Sequence, residues 1–244
     1  MSSFPSTSTL QPHIFSSVWA DAWSEDCLLC LERAPRRLLC AACDGALPRL
    51  VEACGRCALP SGRGAGNCAC RRLRFSFDAA SACFEYGFPV DRLVQRFKYA
   101  GDLAVGRWLA LELAERLRRE PRPDVIVVPP VSQARLRERG FNQALEIARV
   151  VARRLGVRCD ARAVVRLRET PAQAALTRRE RRANLRGAFG CQARLEGLHV
   201  AIVDDVLTTG ATLDSCARAL KRSGATRVDA LTLARVVRVP SSDI

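Results

Sequence analysis

Beyond residue 73 the apolar positions of this chain switch repeatedly between two periods. Phe77 to Tyr86 reads as an extended run, and Pro89 to Tyr99 has helical spacing that stops near Ala100-Gly101. Val105 to Arg119 places leucines at 109, 113 and 117, one face of a longer helix. Val125-Ile-Val-Val128 is apolar throughout, the pattern of a strand buried on both faces of a parallel sheet. A loop leads from it to a helix over Asn142 to Leu155, and Ala163 to Leu167 reads as a further strand. Val200 to Val203 is another buried strand; the helix after it carries Leu213, Cys216, Ala217 and Leu220 and stops at Gly224. Val228 to Ala234 closes the series. Strand–helix–strand order predicts right-handed crossovers, a mostly parallel α/β sheet, and ligands beyond the carboxyl ends of its strands.

Residues 24–72 follow a different pattern. They are poor in large apolar residues, punctuated by Gly and Pro, and carry eight of the twelve cysteines. The array is Cys27-x2-Cys30, Cys40-x2-Cys43, Cys54-x2-Cys57 and Cys68-x-Cys70. A two-residue gap lets both thiolates of a tight turn face one tetrahedral ion, and two such turns complete a four-sulfur site. Four turns predict a double zinc ribbon with one or two structural zinc ions. Sequential pairing is the simplest, interleaved pairing satisfies the same spacing, and an iron–sulfur cluster is the minority alternative. Cys83, Cys159, Cys191 and Cys216 stand singly in apolar patterns and read as small core residues.

The 244 residues suffice for one sizeable domain plus a small module, so the expected division is a disordered leader over 1–23, the ribbon over 24–72 and the α/β domain over 73–244. No segment approaches the roughly 20 apolar residues that span a bilayer. No Lys or Arg precedes Arg33, which argues against a secretory or transit signal and predicts a cytoplasmic protein with reduced thiols and no membrane insertion. Formal charge is +14, of which residues 1–72 carry +2 and residues 73–244 the remaining +12. That surplus suits polyanions such as pyrophosphate, nucleotides or nucleic acid, although its arginine bias also follows from GC-rich coding.

The chemistry concentrates in Val200-Ala-Ile-Val-Asp-Asp-Val-Leu-Thr-Thr-Gly-Ala-Thr212. A buried strand runs into paired carboxylates, Asp204 and Asp205, and then into a turn of small residues that opens a helix. Free amides of Thr209, Gly210, Ala211 and Thr212, with the positive helix end, suit a phosphate. The hydroxyls of Thr208, Thr209 and Thr212 add donors, and the two acids can accept from vicinal sugar hydroxyls. Arg135, Arg137 and Arg139 follow the strand that ends at Val128, as donors to a pyrophosphate. Residues 166–189 hold seven arginines against two glutamates, the composition either of a flap over an anion or of a solvated face.

This stretch resembles the 5-phosphoribosyl-1-pyrophosphate (PRPP) motif of type I phosphoribosyltransferases. Together with Arg139-Gly-Phe-Asn-Gln143, Thr170-Pro-x-Gln173 and Glu180-Arg-x-x-Asn-x-x-Gly-Ala-Phe189, behind a cysteine-rich head, it is similar to the ComF family of competence proteins from about Cys27 to Ala234. The family's strand-end Pro-Val-Pro-Leu-Ser is replaced by Pro-Pro-Val-Ser132, and Gln133 and Ala134 stand where basic residues are common. The resemblance implies a type I phosphoribosyltransferase fold. It also implies PRPP, or another sugar phosphate, with Mg2+ as ligand. Asp204 and Asp205 would then hold the ribose, and the loop the 5′-phosphate. Lys98, in the matching Phe-Lys-Tyr-x-Gly, and Arg135 and Arg139 would face the phosphates. It further implies a role in DNA uptake, with single-stranded DNA and other uptake proteins as partners. Pentosyl transfer is left undecided: His13 and His199, the only histidines, sit in the leader and at the start of the motif strand, and no acceptor-stacking aromatic is evident. The competing reading is a single-stranded nucleic-acid binder without turnover.

Overall fold

The structure is a computed structural model that describes residues 25–60, 68, 70, 75–168 and 184–237. The expected leader and most of the arginine-rich segment lie outside the described residues. The chain divides into two compact units, Met1–Gly45 and Ala46–Ile244.

In the first unit the turn Cys27–Cys30 is followed by Leu31 in the left-handed region (φ 63°), whose amide donates to the Cys27 carbonyl at 2.9 Å. The Cys27 amide donates forward to the Glu32 carbonyl at 2.7 Å, and helix α1 (Ala41–Gly45) begins just after Cys40. The second unit repeats this design. Ala58 (φ 55°) donates to the Cys54 carbonyl, and the Cys54 amide to Leu59, both at 2.8 Å.

The second unit is built on five parallel strands in the order β1 (Ala79–Glu85), β7 (Arg227–Arg235), β6 (His199–Leu207), β2 (Val125–Val127), β3 (Arg158–Asp160). From β2 the chain steps outward to β3; from β6 it steps the other way to β7. The switch point therefore lies between β2 and β6, whose carboxyl ends bound the crevice where such sheets take ligands. Helices α2 (Val90–Tyr99), α3 (Leu103–Leu117), α5 (Gln143–Leu155) and α6 (Ala211–Arg222) flank the sheet. Asp102 caps α3 through the Val105 amide, and Asn142 caps α5 through Leu145.

Several elements depart from the sequence reading, among them β3, which has no counterpart in it. The stretch after β2, expected as a loop, contains helix α4 (Gln133–Arg139), started by the Ser132 hydroxyl and ended at Gly140. The expected strand at 163–167 forms, as β4 (Val164–Arg166), outside the parallel sheet; it pairs antiparallel with β5 (Phe189–Cys191). A three-residue strand carries too little periodicity to show which sheet it joins.

Phe77, Phe84 and Phe97 are fully buried, as are Ile126, Ile147 and Ile202. Cys83 and Cys216 are core residues as expected, and burial pushes the Cys83 thiol up to about 12, so it is unreactive. Cys159 and Cys191 are only half-buried. Gly106 on α3 faces the Phe97 ring so closely that an added Cβ would overlap it. Gly106→Ala is expected to destabilise the protein by about 1–3 kcal/mol, read as a lower denaturant midpoint at unchanged slope.

Candidate phosphate and metal sites

Strand β6 runs apolar from Val200 to Val203 because both its faces are covered, and it delivers Asp204 and Asp205 to the switch point. The Asp205 amide donates to Asp204 Oδ1 at 2.9 Å, which fixes the first carboxylate against its own backbone. Lys98, near the end of α2, places Nζ 2.8 Å from Asp205 Oδ2, with both side chains largely buried. Burial and then the Asp205 charge push the Asp204 carboxyl up to about 7. The Asp205 amide and the charges of Lys98 and Arg135 act in the opposite sense. Lys98 and Arg135 therefore contribute positive potential where the two acids stand.

After Leu207 the backbone turns through Thr208 to Gly210 (φ 77°) and enters α6. The first intrahelical amide is that of Asp214, which reaches the Gly210 carbonyl at 2.8 Å. The amides of Thr212 and Leu213 precede it and have no partner within the helix. The Thr209 hydroxyl accepts from the Ala211 amide at 3.4 Å. A Cβ on Gly210 would lie 2.9 Å from Phe75 Cε1. The backbone thus passes against the aromatic pair Phe75–Phe77, whose rings stack at 4.5 Å. The dipole of α6 points at a small-residue cradle beside two acids.

The loop beyond β2 supplies the opposite wall. Arg139 lies 5.1 Å over the Tyr99 ring and donates to Gln143 Oε1 at 3.2 Å, so it is held by its own motif. The Arg139 Nε and Gln143 Nε2 atoms are buried without a hydrogen-bond partner among the described residues. Arg166 reaches across from β4 to the Pro130 carbonyl at 3.3 Å and stacks on Phe189. His199 opens β6 at the end opposite the cradle, where it pairs with Asp229 at 2.8 Å.

The eight ribbon cysteines form two groups, Cys27/Cys30/Cys40/Cys43 and Cys54/Cys57/Cys68/Cys70, each with its sulfurs within 4.8 Å of one another. The pairing is sequential. Contacts of 3.6 Å (Cys30–Cys40), 3.6 Å (Cys54–Cys70) and 3.4 Å (Cys57–Cys68) compare with about 3.8 Å between sulfurs bound to one zinc at about 2.3 Å. Burial opposes ionisation of Cys27, but the amides of Cys40, Cys30 and Leu29 outweigh it and hold the thiol near about 6. The donor set and its spacing fit zinc. The second group belongs to the same compact unit as the sheet.

Sequence reasoning missed Arg235. Its guanidinium is buried at the end of β7 and donates to three carbonyls on two separate segments, Cys57 and Leu207–Thr208. An arginine closing a mostly apolar strand, Ala230-Leu-Thr-Leu-Ala-Arg235, was the signal. Asp214 was missed likewise: buried on α6, it accepts from the Ser76 amide at 2.6 Å and from Arg218.

Residues 112–238 match the phosphoribosyl transferase domain family. The chain is 34% identical over 222 residues to the DNA utilization protein YhgH of Salmonella typhi, covering 86% of this chain and 97% of that protein. It is 30% identical over 207 residues to competence protein F of Haemophilus influenzae, covering 81% of this chain and 90% of that one. Among solved structures, a purine phosphoribosyltransferase from Pyrococcus horikoshii aligns over 56% of this chain and 78% of its own. The identity there is 24% and the TM-score 0.36. No helix among the described residues is long and apolar enough to cross a membrane.

Proposed function

Since the chain belongs to the ComF family of competence proteins and carries their phosphoribosyl transferase domain, we propose that the β2–β6 crevice binds PRPP in the service of DNA uptake. One observation carries this reading: the paired acids and the first-turn amides of α6 meet at the switch point. The 5′-phosphate sits on the amides of residues 209–212, with the Thr208, Thr209 and Thr212 hydroxyls around it. Asp204 and Asp205 accept from the ribose 2′- and 3′-hydroxyls. The pyrophosphate extends toward Lys98, Arg135 and Arg139.

The acids also offer the hard oxygen donors that suit Mg2+ accompanying PRPP, an ion that neutralises pyrophosphate charge when bound. If turnover occurs, a nitrogen nucleophile displaces pyrophosphate at C1. The acids then orient the pentose and oppose the positive charge that grows on it. The four-cysteine groups hold zinc and act as structural elements. The working place of this protein is the cytoplasm.

A second reading is favoured by the names of the relatives and by the +12 charge of residues 73–244. In it the same crevice captures the 5′-phosphate end of single-stranded DNA without chemistry, and arginines track the backbone. Calorimetric titration with Mg2+ and PRPP, followed by labelled single strands, separates the two. Asp205→Ala is expected to weaken PRPP at least about 100-fold, a loss of roughly 2.7 kcal/mol. Unchanged PRPP affinity in that variant sinks the assignment. Competition between the ligands indicates one shared crevice; independent binding indicates two sites.

The raised Asp204 pKa gives a further expectation. With a folded value near about 7 against 3.8 for an ordinary aspartate, the folded protein keeps a proton that the unfolded chain has lost. This group's contribution to stability is therefore complete below about pH 4 and gone above about pH 7. Ligand binding runs the other way, because the ionised acid is the better acceptor for ribose hydroxyls. PRPP affinity measured between pH 6 and pH 8 should rise with pH, and Asp204→Asn should flatten that rise.

A further inference from the structure

The second four-cysteine group and the phosphate cradle share a single buried cation. Arg235 is 5% exposed. Its Nε donates to the Cys57 carbonyl at 2.9 Å, and its Nη1 to Leu207 at 2.7 Å, Thr208 at 2.5 Å and Val236 at 2.9 Å. Cys57 belongs to the four-sulfur group, whereas Leu207 and Thr208 are the last residue of β6 and the first of the cradle. A planar guanidinium has its donors in a fixed fork, so displacing one of these carbonyls disturbs the geometry at the others.

A second connection runs alongside. Phe75 lies against Gly210, and the Ser76 amide donates to Asp214, in the first turn of α6. The Gly55 carbonyl, inside the Cys54–Cys57 turn, accepts from Ala80 on β1 at 2.8 Å. The cysteine turn is thus tied to β1, and Phe75 and Ser76 pack against the start of α6.

We infer that Arg235 is a positioning residue through which metal loading at Cys54/Cys57/Cys68/Cys70 sets the affinity of the cradle for PRPP. This rests on the PRPP reading above. Without the metal, only the backbone hydrogen bonds of the Cys54–Leu59 turn hold its end of the four-thiol group, and the Cys57 carbonyl is less firmly fixed beneath the guanidinium. Thr208 and the amides that follow it then sample geometries that do not converge on a phosphate. Coupling of this kind is reciprocal: if metal raises PRPP affinity by some factor, PRPP raises metal affinity by the same factor. The first group belongs to the other compact unit, so Cys40→Ser serves as the comparison variant.

The test uses the full-length protein as Arg235→Lys, Cys68→Ser and Cys40→Ser, with calorimetric PRPP affinity, zinc content and amide hydrogen exchange over residues 207–212. Arg235→Lys keeps the charge but loses the fork. It should retain the wild-type zinc content and bind PRPP at least about 10-fold more weakly. Cys68→Ser should show a similar loss and Cys40→Ser none. The double variant Arg235→Lys/Cys68→Ser should lose much less than the sum of the two, because both substitutions break one connection.

In the wild type, PRPP should slow the release of zinc from the second group to a competing chelator. Wild-type PRPP affinity in Arg235→Lys or Cys68→Ser overturns the inference, as do fully additive losses. If the wild type itself fails to bind PRPP, the functional reading falls instead. Exchange over 207–212 still decides the coupling: faster in Cys68→Ser than in Cys40→Ser supports it, and equal rates overturn it. Should Cys68→Ser not fold, exchange is compared between wild type and Arg235→Lys. Faster exchange in that variant supports the coupling, and unchanged exchange overturns it.

Discussion

Replacing Cys40 with serine is expected to unfold residues 25–45, halve the zinc content, and leave the sheet unit intact. Little apolar surface supports the first unit: apart from Cys27, only Ala34 and Leu39 are buried apolar residues between 25 and 45. Leu31 sits at φ 63° and Arg36 at φ 59°, conformations that cost of order 1–3 kcal/mol each for residues with a Cβ. A segment this short cannot offset those costs and its chain entropy by burial alone. Metal binding must supply the folding free energy, and in zinc-finger peptides that amounts to about 10–16 kcal/mol at pH 7. Serine removes one of four thiolates and therefore most of that term. Amide exchange over 25–45 should become fast, while exchange in β6 and β7 stays slow. Retained protection over 25–45 in zinc-depleted Cys40→Ser protein would refute a structural metal.

Gly210→Val is expected to abolish PRPP binding with only a modest loss of stability. Two effects coincide at this position. The backbone holds φ 77°, which a β-branched residue adopts only with strain of roughly 1–3 kcal/mol. The new Cβ would also lie 2.9 Å from Phe75 Cε1, a ring already stacked on Phe77. The loop must then move, and the loop is the cradle. Affinity should fall beyond about 100-fold, whereas the thermal midpoint should drop by only several degrees. Gly197→Ala is the control: Gly197 has φ 78° and nothing within 4 Å of an added Cβ, and it precedes β6 at the end away from the acids. It should lose comparable stability and keep its PRPP affinity. If Gly197→Ala and Gly210→Val reduce binding alike, the cradle is not the phosphate site.

Much of this site was legible in advance, because its parts are contiguous. An apolar run long enough to be buried, two acids, small hydroxyl residues and a glycine occupy thirteen successive positions, and local backbone rules then dictate strand, turn and helix start. The cysteine pairs were legible for the same reason, since a two-residue gap closes within one turn. Helix α4 was not. Its seven residues, Gln133–Arg139, are mostly charged and have no buried position, so no apolar face announces it. The environment of Arg139 was not legible either, because the Tyr99 ring beneath it comes from 40 residues upstream.

The amino-acid order alone thus determined the chemistry available: four cysteine turns able to bind metal in pairs, and a turn that can hold a phosphate beside two acids. Three things depended on the tertiary structure. The sulfur groups pair sequentially, β2 and β6 become neighbours, and the buried guanidinium of Arg235 lies between Cys57 and Thr208. Short-range rules reach about one turn of chain, whereas the Arg235 contact spans 178 residues to Cys57 and is made only once the sheet has closed.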